Sequence, residues 1–260
     1  MIEVFADIVC PFTHASLRHL DTYRRDHAPT LRFRVRSWPL ELVNGQPVDP
    51  SMLAAEIDAI RAGVAAQLFG GFDADRFPAT TLPALAAEAA AYREGDDVGE
   101  RFSLAIRDAL WERGLDVSDP AVIAEVANLA GAPMASAADD EAVRQSWAEG
   151  RTRGVAGSPH FFTSSGDFFC PSLDIEHHGG DYDVRFDREG FERFIAAAVT
   201  CPGARGDDDP SPARSGSSIC QSSAASNWMK TSRNDTPGFS PITQPFRRHL
   251  GETSGTVGAC

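Results

Sequence analysis

The chain has 260 residues, 42% of them hydrophobic, which is enough for a sizeable core, and a formal net charge of -13. An acidic chain of this kind is repelled by a phosphate backbone and by an anionic membrane face, so neither nucleic acid nor a membrane is expected as a partner. No stretch approaches the ~20 apolar residues of a membrane-crossing helix, and the opening MIEVFADIVC lacks the basic start and long apolar run of an export signal, so a cytoplasmic location is expected. Five cysteines, at positions 10, 170, 201, 220 and 260, are odd in number and have no C-x-x-C or metal-like spacing. They indicate neither a disulfide framework nor a metal site, and a thiol in the cytoplasm is normally reduced.

In chain order, IEVFADIV reads as a short buried strand and THASLRHLDTYRRDH as a helix with Ala15, Leu17, Leu20 and Tyr23 on its apolar side. LRFRVRSW follows as a strand in which Leu31, Phe33 and Val35 alternate with Arg32, Arg34 and Arg36, which form one polar face. From Asp49 to about Gly150 the text is alanine-rich and amphipathic, and several of its helices open at Asp-Pro or Asp-Asp, both favourable helix entries. SPHFFTSSGDFFC then supplies two aromatic runs around a Ser-Ser-Gly-Asp turn, a hairpin signal, and DREGFERFIAAAVT closes with a helix. EHHGGDYD reads as a polar turn; His177 and His178 beside Asp174 and Glu176 do not add up to a metal site. From Pro202 the composition cannot bury much, and Lys230, the single lysine of the chain, lies there, whereas positive charge in the first 200 residues is all arginine. Residues 201–260 are predicted to be a disordered tail.

The order is thus β-α-β, helices, β-β-α, an α/β arrangement of the thioredoxin-like type with an inserted all-helical subdomain. The predicted divisions are 1–48 with 151–200 for the thioredoxin-like part, 49–150 for the insertion and 201–260 for the tail. Two motifs add to this. DIVCPFTH, Asp7 to His14, is similar to a D-x-x-C-P-aromatic-C active-site turn, and GVAGSPHFF, Gly154 to Phe162, is similar to a G-V-x-G-x-P loop with a cis proline. With the element order, they make residues 2–199 resemble the DsbA-like family of thioredoxin-fold proteins, the branch holding FrnE-type oxidoreductases, kappa-class glutathione transferases and 2-hydroxychromene-2-carboxylate isomerases.

Cys10 stands at a strand-to-helix junction, where unpaired helix N–H groups and the positive end of the macrodipole favour a thiolate. There its pKa is expected to fall from ~8.5 into the range ~3.5 to 7.5, which makes it the candidate redox-active nucleophile. Pro11 fits the first helical turn. Thr13 replaces the second cysteine of the motif; it cannot resolve a mixed disulfide, but its hydroxyl can donate a hydrogen bond to the Cys10 thiolate. The resemblance implies that Pro11, Phe12, Ser158 and cis Pro159 contact substrate, with Ser158 offering its backbone to an extended thiol or peptide. His14, if protonated, would further support the thiolate; a solvated helix-surface histidine is the other reading. Asp7 matches the motif aspartate, and satisfying backbone donors is as good an account of it as proton transfer. Trp38 and Pro39 either line the cleft or pack the core. Cys170 would be a second thiol if its Cα came within ~7 Å of a partner.

These residues imply a monothiol thiol–disulfide oxidoreductase with no tightly bound cofactor, a low-molecular-weight thiol as co-substrate, a small thiol or disulfide as substrate, and a homodimer left open. Two alternatives stand beside it. One is a kappa-transferase-like or isomerase-like enzyme that binds a small thiol, although those relatives carry serine at the position of Cys10. The other is a non-catalytic thioredoxin-fold binding module.

Overall fold

The computed structural model describes residues 1–178 and 181–199. The predicted tail, with Cys201, Cys220 and Cys260, lies outside the described residues. A four-stranded mixed sheet has the order β2-β1-β3-β4, built from β1 (Ile2–Ala6), β2 (Phe33–Ser37), β3 (His160–Thr163) and β4 (Gly166–Phe169). β1 and β2 run parallel, Val4 opposite Val35, and are joined by helix α1 (Pro11–His27). β3 is antiparallel to β1, with Phe5 opposite His160, and forms a hairpin with β4 around residues 164–165. Helix α8 (Arg188–Val199) packs Phe191, Phe194 and Ile195 with Leu17 and Leu20 of α1 and with Val4 and Phe161 of the sheet. The fold is thioredoxin-like, with the helical block inserted between its halves.

The insertion comprises α2 (Leu40–Asn44), α3 (Pro50–Gly63), α4 (Leu82–Glu94), α5 (Asp96–Trp111), α6 (Pro120–Ala130) and α7 (Ala137–Thr152), with a 3-10 turn at Ala74–Arg76. The two Asp-Pro entries work as their chemistry dictates: Asp49 accepts from the Ser51 N–H and Asp119 from the Ala121 N–H, while the prolines fill first-turn positions whose N–H groups would have no partner. Gly63, the last residue of α3, lets the helix meet another chain segment closely; a Cβ at this position would lie 1.8 Å from the Val184 carbonyl oxygen.

One expectation requires correction. The segment read as a polar turn runs into two strands, β5 (Leu173–His178) and β6 (Asp181–Phe186), paired antiparallel with Ile175 opposite Val184. Leu173 and Ile175 on one strand, and Tyr182, Val184 and Phe186 on the other, supply the apolar alternation, and these residues join the core of the insertion. The arginines of β2 form the expected polar face, paired with acids of neighbouring elements: Arg34 with Asp96 at 2.6 Å, Arg32 with Glu100 at 3.1 Å, and Arg36 with Glu3 of β1 and with Glu149.

Glu100 shows how tightly the two parts are joined. It is 2% exposed, accepts the Phe33 backbone N–H at 2.8 Å, and takes Arg24 of α1 at 2.5 Å. α1 is consequently enclosed by the sheet, the insertion and the β5–β6 hairpin, which is why His14, Arg18 and His19 are buried on a helix whose sequence reads as half solvent-facing. Arg18 is neutralised by Asp108, and the ring of His19 packs at a tilt against Phe186.

Candidate active site

The chain leaves β1 at Ala6, and the next four residues hold the turn into α1. Asp7 is fully buried and organises that turn: its carboxylate accepts from the N–H groups of Ile8 at 2.6 Å, Val9 at 3.4 Å and Leu40 at 2.6 Å. Burial raises its pKa to about 6, and the backbone donors oppose that rise. Of the two readings of Asp7, its contacts support the satisfaction of backbone donors. From the insertion, the Trp111 indole donates to the Ile8 carbonyl oxygen at 3.0 Å, so the same turn is held on both sides.

Cys10 is the N-cap of α1, with extended backbone (φ -89°, ψ 114°). Its thiol donates to the Ser158 carbonyl oxygen at 3.0 Å, and the Ser158–Pro159 peptide that follows is cis. The Ser158 hydroxyl lies 2.9 Å from the Thr13 hydroxyl and accepts the Asp7 backbone N–H at 2.9 Å. The two motifs, about 150 residues apart, thus meet as one cluster of Asp7, Cys10, Thr13, Ser158 and Pro159. Pro11 is buried and Phe12 half-buried at the same helix end.

The expected low pKa of Cys10 is corrected. Burial pushes the thiol up, the Thr13 and Ser158 hydrogen bonds pull it down, and the charge of Glu56 pushes it up again, with a net rise. Desolvation outweighs the hydrogen bonds because Cys10 is 4% exposed and its thiol contacts a carbonyl oxygen in the resting site, which welcomes a thiol proton and repels a thiolate.

His14 does not join the cluster. Its Nε2 lies 2.7 Å from Glu112 Oε1 and its ring packs edge-on against Phe69 at 5.3 Å. Burial lowers its pKa, against the pull of Glu112, so it remains a neutral strut between α1 and the insertion rather than a cationic partner of the thiol. Glu112 also accepts the Phe69 N–H at 3.0 Å, which helps to hold Phe69 at φ 65°. Trp38 belongs to the core, edge-on to Phe5 and against Gly150, where a Cβ would lie 2.6 Å from its ring.

Sequence reasoning did not find Glu56 and Tyr182. Glu56 lies on α3 and Tyr182 on β6, and the tyrosine hydroxyl donates to the carboxylate; burial lifts Glu56 to about 7 despite that bond. In the sequence, Glu56 is one more acid on an amphipathic helix, and nothing in its spacing marks it as a neighbour of Cys10. Cys170 is also close. It sits at the end of β4 with φ 46°, is 6% exposed, and its sulfur lies 3.9 Å from the Pro159 carbonyl oxygen.

A cysteine at a helix N-terminus whose thiol faces the residue before a cis proline is an arrangement that fits the thioredoxin-like fold of the chain. The model of the DSBA-like thioredoxin domain matches residues 1–178, and the chain belongs to that family. No curated protein matches the chain. Among solved structures, it is similar to a Nitrosomonas europaea protein proposed to be a protein disulfide isomerase, with a TM-score of 0.53 and 14% identity over 75% of this chain and 95% of that one. It is also similar to the cytosolic disulfide reductase DsbM of Pseudomonas aeruginosa, with a TM-score of 0.50 and 16% identity over 75% of this chain and 96% of that one. At these identities the likeness is one of fold.

Proposed function

We propose that the protein is a thiol–disulfide oxidoreductase that works through Cys10 in the cytoplasm, with a small thiol as co-substrate. The observation that supports this best is the contact of the Cys10 thiol with the Ser158 carbonyl oxygen beside cis Pro159, because a carbonyl so placed can receive the N–H of an extended substrate. Cys10 sulfur attacks one sulfur of a disulfide RSSR. A Cys10–S–S–R bond forms, and RS⁻ leaves with the proton that Cys10 gives up. A thiol R′SH then attacks the mixed disulfide, RSSR′ departs and the Cys10 thiol is restored. The hydroxyls of Thr13 and Ser158 support the sulfur while it carries charge. Cys10, Thr13, Phe12, Ser158 and Pro159 form the working site; His14 holds the helix that carries it.

A second reading has an observation of its own. The resting Cys10 is a buried thiol, and a pair of coupled hydroxyls stands beside it, which is equally suited to activating an external thiol, as a transferase or isomerase would. Turnover of a small mixed disulfide with glutathione separates the readings. The C10S variant should lose all turnover, and T13A should lose about fivefold, the worth of one hydrogen bond. Full activity in C10S would move the chemistry to the bound thiol, and no turnover by the unaltered protein with any thiol would leave a binding module.

A further inference from the structure

Cys10 and Cys170 approach one dipeptide from its two carbonyls. The Cys10 thiol is 3.0 Å from the oxygen of Ser158, and the Cys170 sulfur is 3.9 Å from that of the next residue, Pro159. The Cys170 N–H also donates to the Pro159 oxygen at 3.2 Å, so the backbone of Cys170 is fixed against the loop that faces Cys10. The residues after Cys170 are fixed to the helix that carries Cys10: the Ser172 hydroxyl donates to the Ser16 hydroxyl at 3.1 Å. Cys170 holds a positive φ of 46°, a region that a β-carbon disfavours, where glycine or asparagine would be the ordinary choice. The charge on Cys10 is felt at Cys170, where it adds to burial in raising the pKa of the second thiol.

We infer that Cys170 is the second thiol of this site, attacking the mixed disulfide on Cys10 beside the Ser158–Pro159 peptide and so filling the role that Thr13 cannot. This rests on Cys10 being the nucleophile. The Cys170 sulfur bonds to the Cys10 sulfur as the Cys10–S–R bond breaks, and RS⁻ takes the proton lost from Cys170. Two protein thiols are oxidised to one disulfide while RSSR is reduced to two RSH. Two molecules of a small thiol then return the pair to the dithiol, leaving as their own disulfide. Because the attacking form is the thiolate, Cys170 gives up its proton before or as it attacks, and that proton ends on the departing RS⁻.

The test treats the full chain with glutathione disulfide, blocks free thiols and maps peptides by mass spectrometry. The unaltered protein should yield a Cys10–Cys170 linked peptide, with little glutathione left on Cys10. C170S should accumulate the Cys10–glutathione adduct at least tenfold above that level, and C10S should leave Cys170 unmodified. If the unaltered protein instead holds glutathione on Cys10 to the same extent as C170S and gives no linked peptide, Cys170 is a packing residue and Cys10 acts alone. If Cys10 takes up no glutathione in any variant, the reading of Cys10 as nucleophile falls and the inference with it. The linked peptide is sought in the unaltered protein, so a folding defect in either variant does not decide the result.

Discussion

At the scale of single residues, the charge state of Cys10 is decided by a contest between burial and a few hydrogen bonds, into which the charge of Glu56 also enters. Because Glu56 titrates at about 7, it repels the thiolate above that pH and is neutral below it. E56Q should therefore alkylate at Cys10 about threefold faster than the unaltered protein at pH 8, with the two rates converging near pH 6; one pKa step is worth tenfold in thiolate. Equal rates at pH 8, read at the Cys10 peptide, would mean that the Glu56 charge does not reach the sulfur. That Cys10, Thr13, Ser158 and Pro159 come together was legible in the sequence because a turn and a proline loop leave local marks. The sign of the Cys10 shift was not, because helix position is local whereas desolvation depends on everything packed above the sulfur.

At the scale of elements, α4 and α5 are joined by a buried ion pair, Glu88 with Arg107 at 2.6 Å, each 1% exposed. Arg107 also donates to the Ser103 hydroxyl and carbonyl oxygens. Removing one partner leaves an uncompensated charge, so E88A should lower unfolding free energy by about 3–5 kcal/mol, whereas E88L with R107M should cost far less, since an apolar pair of similar volume replaces the ions without leaving either exposed to the core. Urea denaturation of both variants measures the difference; equal losses would show that the pair is solvated. The helices themselves were readable from alanine-rich periodicity and their Asp-Pro starts. The β5–β6 hairpin was overlooked although its apolar residues alternate, because two histidines and several acids in a row resemble a solvated turn. The strand character comes from contact with α3, where Gly63 admits the Val184 carbonyl.

At the scale of the whole molecule, enclosure of α1 places His19 where burial lowers its pKa to about 4, from an ordinary 6.5. The folded state keeps His19 neutral through this interval while the unfolded chain takes up a proton. The stabilisation is therefore complete above pH 6.5 and is lost progressively as pH falls towards 4. Asp7 has the opposite sign: with a folded pKa of about 6 against 3.8, its contribution is largest at low pH and is lost as pH rises through 6. Replacing His19 by leucine should remove the acid-side loss only, so the stability of the unaltered protein relative to H19L should fall by about 2.5 kcal/mol between pH 7 and 4.5. A difference that stays constant over that range, measured by denaturant titration, would show that His19 is hydrated in the folded state.

The sheet has two outer strands, and Glu100 treats one of them unlike the other. By accepting the outward Phe33 N–H from within the helical block, it denies β2 to any incoming chain. β4, with Gly166, Asp167 and Phe169 exposed, has no such cover among the described residues. Growth of the sheet by a further strand, whether from an extended ligand or from a damaged neighbour in a crowded cell, is thus directed to a single side, the side whose strand leads directly into Cys170.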